Sequence, residues 1–379
     1  MLLSSALITL WALTTTACDL PAHIQRRADK TAITNVHVYD GTQFSTDLKT
    51  VVIVGGLISS AAVTDAPTVD GQGGYLAPGF IDSHCHLTSC SFLTPLRQYG
   101  ITTGLDMGTF PYSSLKACRA NGATDVRGPG PAATVNGSAI SGLPGYPTSD
   151  FIPNSSAAAK FVAKRVVDGV DYIKVFLDPA GPDAQTLSAL VSAAHIAGKL
   201  VIAHATTVAD YQKATAAKVD ILTHVPVDAP LDAATVNAIK SNGQRVVPTL
   251  FMMKSILTNT GAPPNFYVQN AQESLSRMYK AGIPVATGTD ANNNPFIPAN
   301  PPFGESLHEE FELLVQAGVS TKDVINGATS IAASTFRIND RGAIKLGQRA
   351  DLVLLGANPL TDITNSRSIK KVWVQGVSS

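Results

Sequence analysis

The sequence has no excess of charge of either sign and little charge altogether. Its 379 residues include 28 Lys and Arg against 28 Asp and Glu, and charged residues make up only 15%. A surface that binds nucleic acid normally shows a basic excess, so this class of partner is excluded. The chain also lacks runs of like charge, low-complexity tracts and internal repeats. The composition is that of a neutral globular enzyme, long enough for a large domain and a small accessory domain.

The apolar run at the N-terminus is too short to span a membrane, so no membrane partner is expected. Residues 1–17 are apolar and rich in small side chains, with Thr15 and Ala17 in the pattern of a cleavage site. This pattern predicts a signal peptide and a secreted protein, and the glycosylation sequons at Asn136 and Asn154 favour secretion. Because no Lys or Arg precedes the apolar core, a packed N-terminal segment of a cytoplasmic protein remains the alternative.

Cysteine is scarce, with four in the chain. Cys18 lies at the expected cleavage point, which leaves Cys85, Cys90 and Cys118. An odd number of cysteines does not indicate a disulfide framework. A bridge between Cys90 and Cys118 stays open, and Cys85 is expected to point away from the histidines on either side of it.

Residues 76–87 form an apolar, strand-like segment that ends in His84 and His86. Alternate side chains of a β-strand share one face, so the two imidazoles point the same way. A single buried histidine is usually a hydrogen-bonded core residue, and packing is the plain alternative here. Two histidines on one strand face favour metal binding, because imidazole is the commonest nitrogen ligand of zinc-like ions.

Four further polar residues stand at or near the ends of short β-branched runs: Lys174, His204, His224 and Asp290. A lysine inside an apolar strand is costly when it is charged and unpaired. Lys174 therefore calls for a chemical reason, the alternative being an ordinary lysine that reaches solvent from the end of a strand.

Eight β-branched runs alternate with helical stretches through the middle of the chain, which is the pattern of βα units. The runs are 79–84, 101–107, 132–135, 172–177, 200–205, 220–225, 245–250 and 284–290. They predict an α/β fold with a (β/α)8 TIM barrel over residues 76–341. The site of such a barrel lies at the C-terminal ends of its strands, where the candidate ligands fall. Both chain ends are rich in short strands, so residues 30–75 and 342–379 predict one small β-sandwich domain built from both termini.

The order of these polar residues resembles the amidohydrolase superfamily of metal-dependent hydrolases. That family has a histidine pair on strand one, a lysine on strand four, histidines on strands five and six, and an aspartate on strand eight. The resemblance covers about residues 35–376. Segments 304–310 and 342–355 are most similar to its imidazolonepropionase-like and ochratoxinase/prolidase-like branch.

The resemblance implies two divalent metal ions, with zinc as the first candidate, and a carbamate formed from CO2 on Lys174 that bridges them. His84, His86 and Asp290 would hold one ion, and His204 with His224 the other. Manganese, iron, cobalt and nickel also occupy sites of this kind. A hydroxide between the ions would attack the substrate, with Asp290 acting first as general base and then as general acid.

Residues 306–309 have the pattern of a capping box, which predicts that His308 lies in the first turn of a helix at the barrel mouth. The family branch favours a catalytic contact between His308 and the substrate. A solvated helix residue is the alternative.

Loops 85–95 and 291–304 contain no charged side chain. Such loops suit a largely neutral or aromatic small-molecule substrate. We therefore expect a hydrolase of amide-like C–N bonds in a peptide, an N-acyl amino acid or a cyclic amide. Either it acts on bonds other than peptide bonds, or it is a dipeptidase-like or carboxypeptidase-like amidase. An ester or lactone hydrolase with the same site is the alternative, a non-catalytic scaffold is a third reading, and homo-oligomerisation stays open.

Overall fold

A computed structural model of the chain describes residues 30–119, 124–261 and 264–378. The expected signal peptide at residues 1–17, and Cys18 after it, lie outside the described residues. Within the part of the chain that is described, no helix has both the length and the apolar character needed to cross a membrane.

Fourteen strands and eleven α-helices occur in the described residues. The strands are Lys30–Val38 (β1), Lys49–Val54 (β2), Leu57–Ser59 (β3), Thr68–Pro78 (β4), Phe80–Cys85 (β5), Ile101–Asp106 (β6), Asp125–Arg127 (β7), Ile173–Phe176 (β8), Val201–His204 (β9), Ile221–Thr223 (β10), Arg245–Val247 (β11), Leu352–Leu355 (β12), Ile369–Val374 (β13) and Val377–Ser378 (β14). The helices are Leu93–Gln98 (α1), Tyr112–Arg119 (α2), Ser155–Asp168 (α3), Ala184–Ile196 (α4), Val208–Ala216 (α5), Ala233–Ser241 (α6), Leu250–Thr260 (α7), Pro264–Lys280 (α8), Glu305–Gln316 (α9), Thr321–Gly327 (α10) and Ser330–Thr335 (α11).

The two ends of the chain meet in one seven-stranded mixed sheet with the order β14-β13-β12-β4-β1-β2-β3. Strand β4 joins them, because it pairs with β1 on one side and with β12 on the other. Ile53 of β2 and Trp373 of β13 belong to the same buried apolar cluster, so the sheet curls around its own core. Strands from both terminal segments thus share one sheet. A two-layered sandwich domain over residues 30–75 and 342–379 stays a prediction.

The middle of the chain forms a TIM-barrel-like α/β fold built on two parallel sheets. One sheet has the order β5-β6-β7 and the other β11-β10-β9-β8. Single parallel bridges extend them at Ala133–Val175, Val246–Val285 and Cys85–Ala291. Among the described residues the strands do not form one continuous closed sheet, so the closed eight-stranded barrel stays a prediction.

Two of the eight predicted strands differ from those observed. The third strand is β7, and residues 132–135 after it contribute only single bridges at Ala133 and Thr134. Pro129 and Pro131 separate the two segments, and proline cannot donate to a strand ladder. In the eighth run, 284–290, only Val285 forms a bridge.

Four successive helices of the barrel region start with a capping side chain. The first amides of a helix have no partner within the helix, so a side-chain oxygen accepts from one of them. The side chains of Asn154, Asp183, Thr207 and Asp232 each accept a hydrogen bond from an amide in the first turn of α3, α4, α5 and α6 respectively. Helix α7 differs, because Thr249 at its start has a left-handed backbone and its side chain does not cap the helix.

Cys90 and Cys118 form a disulfide, so the alternative that the sequence left open is confirmed. It joins the segment before α1 to α2. Cys85 is a buried free thiol whose Sγ lies 3.5 Å from the carbonyl oxygen of Leu105. This direction agrees with the expectation that it points away from the flanking histidines.

Candidate metal centre

The C-terminal ends of the parallel strands bring the predicted ligands to one rim. His84 lies in β5 and His86 directly after it, His204 ends β9, and His224 follows β10. Asp290 ends the extended segment beside β5, where its backbone N–H donates to the carbonyl of His84 at 2.7 Å. Parallel strands share a direction, so residues distant in sequence become neighbours here.

Two ring nitrogens meet at one oxygen of Asp290. Its Oδ1 lies 3.2 Å from Nε2 of His84 and 2.9 Å from Nε2 of His86. One ligand atom from each of these three residues lies within 4.8 Å of the others, a spacing that could hold a metal ion. The alternation of side chains along β5 therefore places both histidines on one face, as the sequence predicts.

A second pair of ring nitrogens faces each other next to this group. Nε2 of His224 lies 2.9 Å from Nδ1 of His204. The ring of His224 is also 4.8 Å from that of His84, centroid to centroid, which joins the two groups into one cluster. The ring of His204 stacks on that of Phe176, with 3.8 Å between the centroids, and this contact fixes the plane of the His204 ring.

Lys174 is buried in the same region, with only 3% of its surface exposed. Burial lowers the pKa of its ammonium to about 7, although Asp290 and Asp106 oppose the change. No hydrogen bond or ion pair of this ammonium occurs among the described residues. A large fraction of the amine is therefore uncharged near neutral pH, which an ordinary solvent-exposed lysine would not show.

The charge states of the cluster suit a cation. Burial lowers the pKa of His84 to about 3 and holds the pKa values of His204 and His224 well below the ordinary range, with the charge of Lys174 acting in the same direction. Burial alone would raise the pKa of Asp290, but His84 and His86 outweigh it and hold the pKa of that carboxyl well below its usual value. Neutral imidazoles with free lone pairs and an ionised carboxylate are the donors that zinc-like divalent ions take. The residues present therefore fit a metal centre.

Two threonines that the sequence did not single out hold the far sides of two rings. Oγ1 of Thr223 lies 2.8 Å from Nδ1 of His84, and Oγ1 of Thr249 lies 2.5 Å from Nδ1 of His224. Both threonines are fully buried. Their position at the ends of the sixth and seventh strands was visible in the sequence, but which histidine each would meet was not.

Two buried carboxyl groups hold the backbone around the histidine pair. Asp82 accepts hydrogen bonds from the amides of His84 and Thr289, both at 3.1 Å, and so ties β5 to the segment that carries Asp290. Burial raises the pKa of Asp82 to about 7. Asp106 accepts from the amide of Leu87 at 2.8 Å, directly after the pair.

Glu310 plays a similar part at the end of the seventh strand. This fully buried carboxyl accepts from the amides of Leu250 and Phe251, at 3.0 and 2.7 Å, in the first turn of α7. Burial raises the pKa of Glu310 to about 8, and these two hydrogen bonds oppose the rise only in part.

His308 is not part of the cluster, and the prediction that it contacts substrate at the barrel mouth is wrong. Helix α9 begins at Glu305 after Gly304, so Ser306 lies inside the helix rather than at its cap. His308 is fully buried. Its Nδ1 lies 2.8 Å from Oγ of Ser366 and its Nε2 lies 3.1 Å from the carbonyl oxygen of Tyr99, so both ring nitrogens are occupied within the core.

Comparison with known proteins gives one family and several relatives. The model of the "Amidohydrolase family" matches residues 75–378. Adenine deaminase 2 of Rhizobium johnstonii is 25% identical over 320 residues, which cover 80% of this chain and 49% of that protein. The imidazolonepropionase of Alteromonas mediterranea is 27% identical over 215 residues, covering 54% of this chain and 47% of that protein. The chain thus spans about half the length of the curated relatives it matches.

Among solved structures, a Xaa-Pro dipeptidase with bound methionine has a similar fold. The TM-score is 0.80 at 21% identity, and the match covers 92% of this chain and 99% of the dipeptidase. At this identity the likeness concerns the fold. The family match confirms the resemblance to the amidohydrolase superfamily, and the similar fold agrees with it.

Replacing a cluster histidine should remove metal and keep the fold. His204→Asn deletes one of the two facing ring nitrogens, and His195→Asn is a matched control, because His195 is partly exposed and pairs with Asp220 instead. We expect His204→Asn to lose bound metal after expression in metal-supplemented medium, and His195→Asn to keep the wild-type content. Elemental analysis measures the metal, and circular dichroism checks the fold. Equal metal content in the two variants would remove His204 from the centre.

The raised pKa of Glu310 should make stability depend on pH. In the folded chain the Glu310 carboxyl stays protonated up to about pH 8, whereas the ordinary pKa of a glutamate is 4.5. Relative to the unfolded chain, the contribution of this bound proton to the free energy of unfolding is therefore complete below pH 4.5. It is lost as the pH rises through about 8. We expect urea unfolding of the metal-free protein to show a smaller decline over this range in Glu310→Gln than in wild type. Glu305→Gln, an exposed carboxyl of the same helix, is the control, and an unchanged decline in Glu310→Gln would contradict the assignment.

Proposed function

The chain belongs to the amidohydrolase family, and from this premise we propose that it is a binuclear metal-dependent hydrolase of amide-like C–N bonds. The substrate class is a largely neutral or aromatic peptide, N-acyl amino acid or cyclic amide. One observation carries the proposal: four histidine ring nitrogens and a carboxylate converge in one place, in two adjacent groups. Two groups of donors suit two ions.

His84, His86 and Asp290 would hold one divalent ion, and His204 with His224 the other, with zinc as the first candidate. When bound, such ions lower the pKa of a water molecule and polarise a carbonyl group. The protein's own part is to keep the imidazoles neutral. The low pKa values that burial imposes on His84 and His224 support this role.

Lys174 would take part as a carbamate. Its uncharged amine would attack CO2, so that a C–N bond forms while one C=O π bond opens onto oxygen. The nitrogen then releases a proton to solvent, which leaves an anionic group with two oxygens. The pKa of about 7 that burial gives Lys174 supports this step, because only the unprotonated amine is a nucleophile. An anion in place of a buried cation also suits the four histidines and the metal ions around it.

Asp290 would move the proton in the reaction. Its Oδ1 faces His84 and His86, whereas its Oδ2 lies 3.9 Å from Nδ1 of His224, beyond hydrogen-bonding distance. Oδ2 is therefore the oxygen free to accept a proton from the attacking water and to return it to the leaving nitrogen. General base and then general acid catalysis by one carboxylate follows.

The rim of the site supports a neutral substrate. Loops 85–95 and 291–304 carry no charged side chain, and Phe296 in the second loop exposes 65% of its surface. Xaa-Pro dipeptidase and adenine deaminase are names of enzymes that act on C–N bonds, which supports an amide-like bond over an ester.

The proposal extends to architecture and location. A closed (β/α)8 barrel is supported by the single parallel bridges that link the two parallel sheets, and a β-sandwich by the common core of the terminal sheet. Secretion is supported by the signal-like pattern of residues 1–17 and by the Cys90–Cys118 disulfide, because disulfides persist in oxidising compartments.

The experiment that tests the function is a screen of N-acyl amino acids, dipeptides, cyclic amides and aryl esters with metal-loaded protein. A chelator-treated sample and Asp290→Asn are run in parallel. Asn keeps the shape of Asp290 and one ligand oxygen but cannot carry the proton. We expect kcat on the best amide to fall by about 10²–10⁴-fold in Asp290→Asn with little change in KM. Steady-state kinetics measure both values.

The screen can contradict the proposal in two ways. Faster turnover of aryl esters than of every amide would make the chain an esterase. Turnover that survives chelation and the Asp290→Asn change would exclude the metal-dependent mechanism.

Lys174→Ala should lose activity and recover part of it with added acetate or propionate. A short carboxylate can occupy the cavity left by the side chain and supply the two oxygens of the carbamate. The measurement is kcat/KM against carboxylate concentration, with chloride at equal ionic strength as the control. Equal activity in carboxylate and chloride would count against the carbamate, as would an unmodified Lys174 in a crystal structure of wild type at full metal occupancy.

A further inference from the structure

We propose that Thr249 and Glu310 form a two-residue support that positions His224 for metal binding. Glu310 holds the start of α7, this fixes Thr249 in an unusual backbone conformation, and the Thr249 hydroxyl then sets the ring of His224. The inference rests on the proposed function, since it concerns the second ion, held by His204 and His224.

Thr249 has a conformation that its residue type disfavours. Its backbone lies at φ +50° and ψ +47°, in the left-handed region. A β-branched side chain is rarely found there, because its Cβ substituents crowd the backbone. Thr249 is also fully buried. Such a conformation persists only where the surroundings impose it, and it clusters at functional sites.

The unusual backbone changes what the Thr249 hydroxyl does. A threonine that begins a helix normally caps it, as Thr207 does for α5 by accepting from the amide of Asp210. At Thr249 the hydroxyl turns to His224 instead, with Oγ1 2.5 Å from Nδ1. The alternative partner of this nitrogen, Oδ2 of Asp290, lies 3.9 Å away and is outside hydrogen-bonding distance.

Glu310 takes over the capping that Thr249 gives up. Its carboxyl group comes from α9 and accepts from the amides of Leu250 and Phe251, the two residues that follow Thr249. Burying a carboxyl group is costly without such hydrogen bonds. The two amides and the left-handed residue before them are therefore held as one unit by a side chain from another helix.

The support selects one nitrogen of His224 for the ion. When Nδ1 carries the hydrogen and donates it to Oγ1 of Thr249, the lone pair of Nε2 is free and points to Nδ1 of His204, 2.9 Å away. A partner on the far nitrogen of a metal ligand fixes the tautomer and the ring orientation. Thr223 stands in the same relation to His84, which belongs to the other group of donors.

This parallel gives a reciprocal experiment on the full-length protein. Stepwise binding of Co2+ to metal-free protein is followed by titration calorimetry and by the ligand-field spectrum. His204→Asn first identifies which of the two binding steps belongs to the His204 and His224 pair. We expect Thr249→Val to weaken that step by about 10–100-fold and to leave the other unchanged. Thr223→Val should do the reverse.

Two further variants separate the hydroxyl from the fold. Thr249→Ser keeps the hydroxyl and should bind Co2+ as wild type does. Glu310→Gln replaces one of the two accepting oxygens by an NH2 group, which cannot accept, and should weaken the same step as Thr249→Val. Should Thr249→Val fail to fold, Thr249→Ser and Glu310→Gln still decide the matter through the same titration.

Several results would overturn the proposal: equal Co2+ affinity in Thr249→Val and wild type, equal weakening in Thr249→Ser and Thr249→Val, or a Glu310→Gln variant that binds both ions normally. A wild type that binds no second ion would overturn it as well. The outcome is distinct from that of the proposed function, because binding is measured without substrate. A protein that hydrolyses nothing in the screen, yet loses the second ion in Thr249→Val, would refute the function and leave the support intact.

Discussion

The carboxylate of Asp290 is the group on which the rest of the site depends. Its Oδ1 receives both histidines of β5, and its backbone amide bonds to the carbonyl of His84. The same residue therefore joins the first and last strand segments of the barrel region and gathers the ligands. A buried carboxylate is tolerated only with such partners, and this requirement links the contact between these two segments to the assembly of the site.

A layer of buried polar side chains surrounds the donors and holds them from behind. Asp82 and Asp106 bind the backbone on either side of the histidine pair, while Thr223 and Thr249 bind the far nitrogens of two rings. Each of these groups lies in an apolar interior, where a polar atom without a partner is costly. The apolar interior thus favours a partner for each of these four groups, and the partners orient the ligands.

The contrast between His308 and the four clustered histidines shows what residue type alone does not decide. All five are histidines on or beside regular elements, and burial lowers the pKa of His308 to about 4, much as it lowers that of His84. Yet the ring of His308 packs near Phe80, at the start of β5, whereas His84 lies near its end. A core histidine of α9 thus packs at the start of the strand that carries a candidate ligand near its end.

The sequence by itself determined the family, the alternation of strands and helices, and the candidate ligands from His84 to Asp290, because these follow from local periodicity and from the order of residues along the chain. Tertiary structure alone decided the third strand at β7, the pairing of Cys90 with Cys118, and the burial of His308. It also decided which threonine holds the far nitrogen of His84 and which holds that of His224. These features depend on contacts between segments far apart in sequence. Glu310 and Thr249 are 61 residues apart in number, and only the packing of α9 against the start of α7 makes one the support of the other.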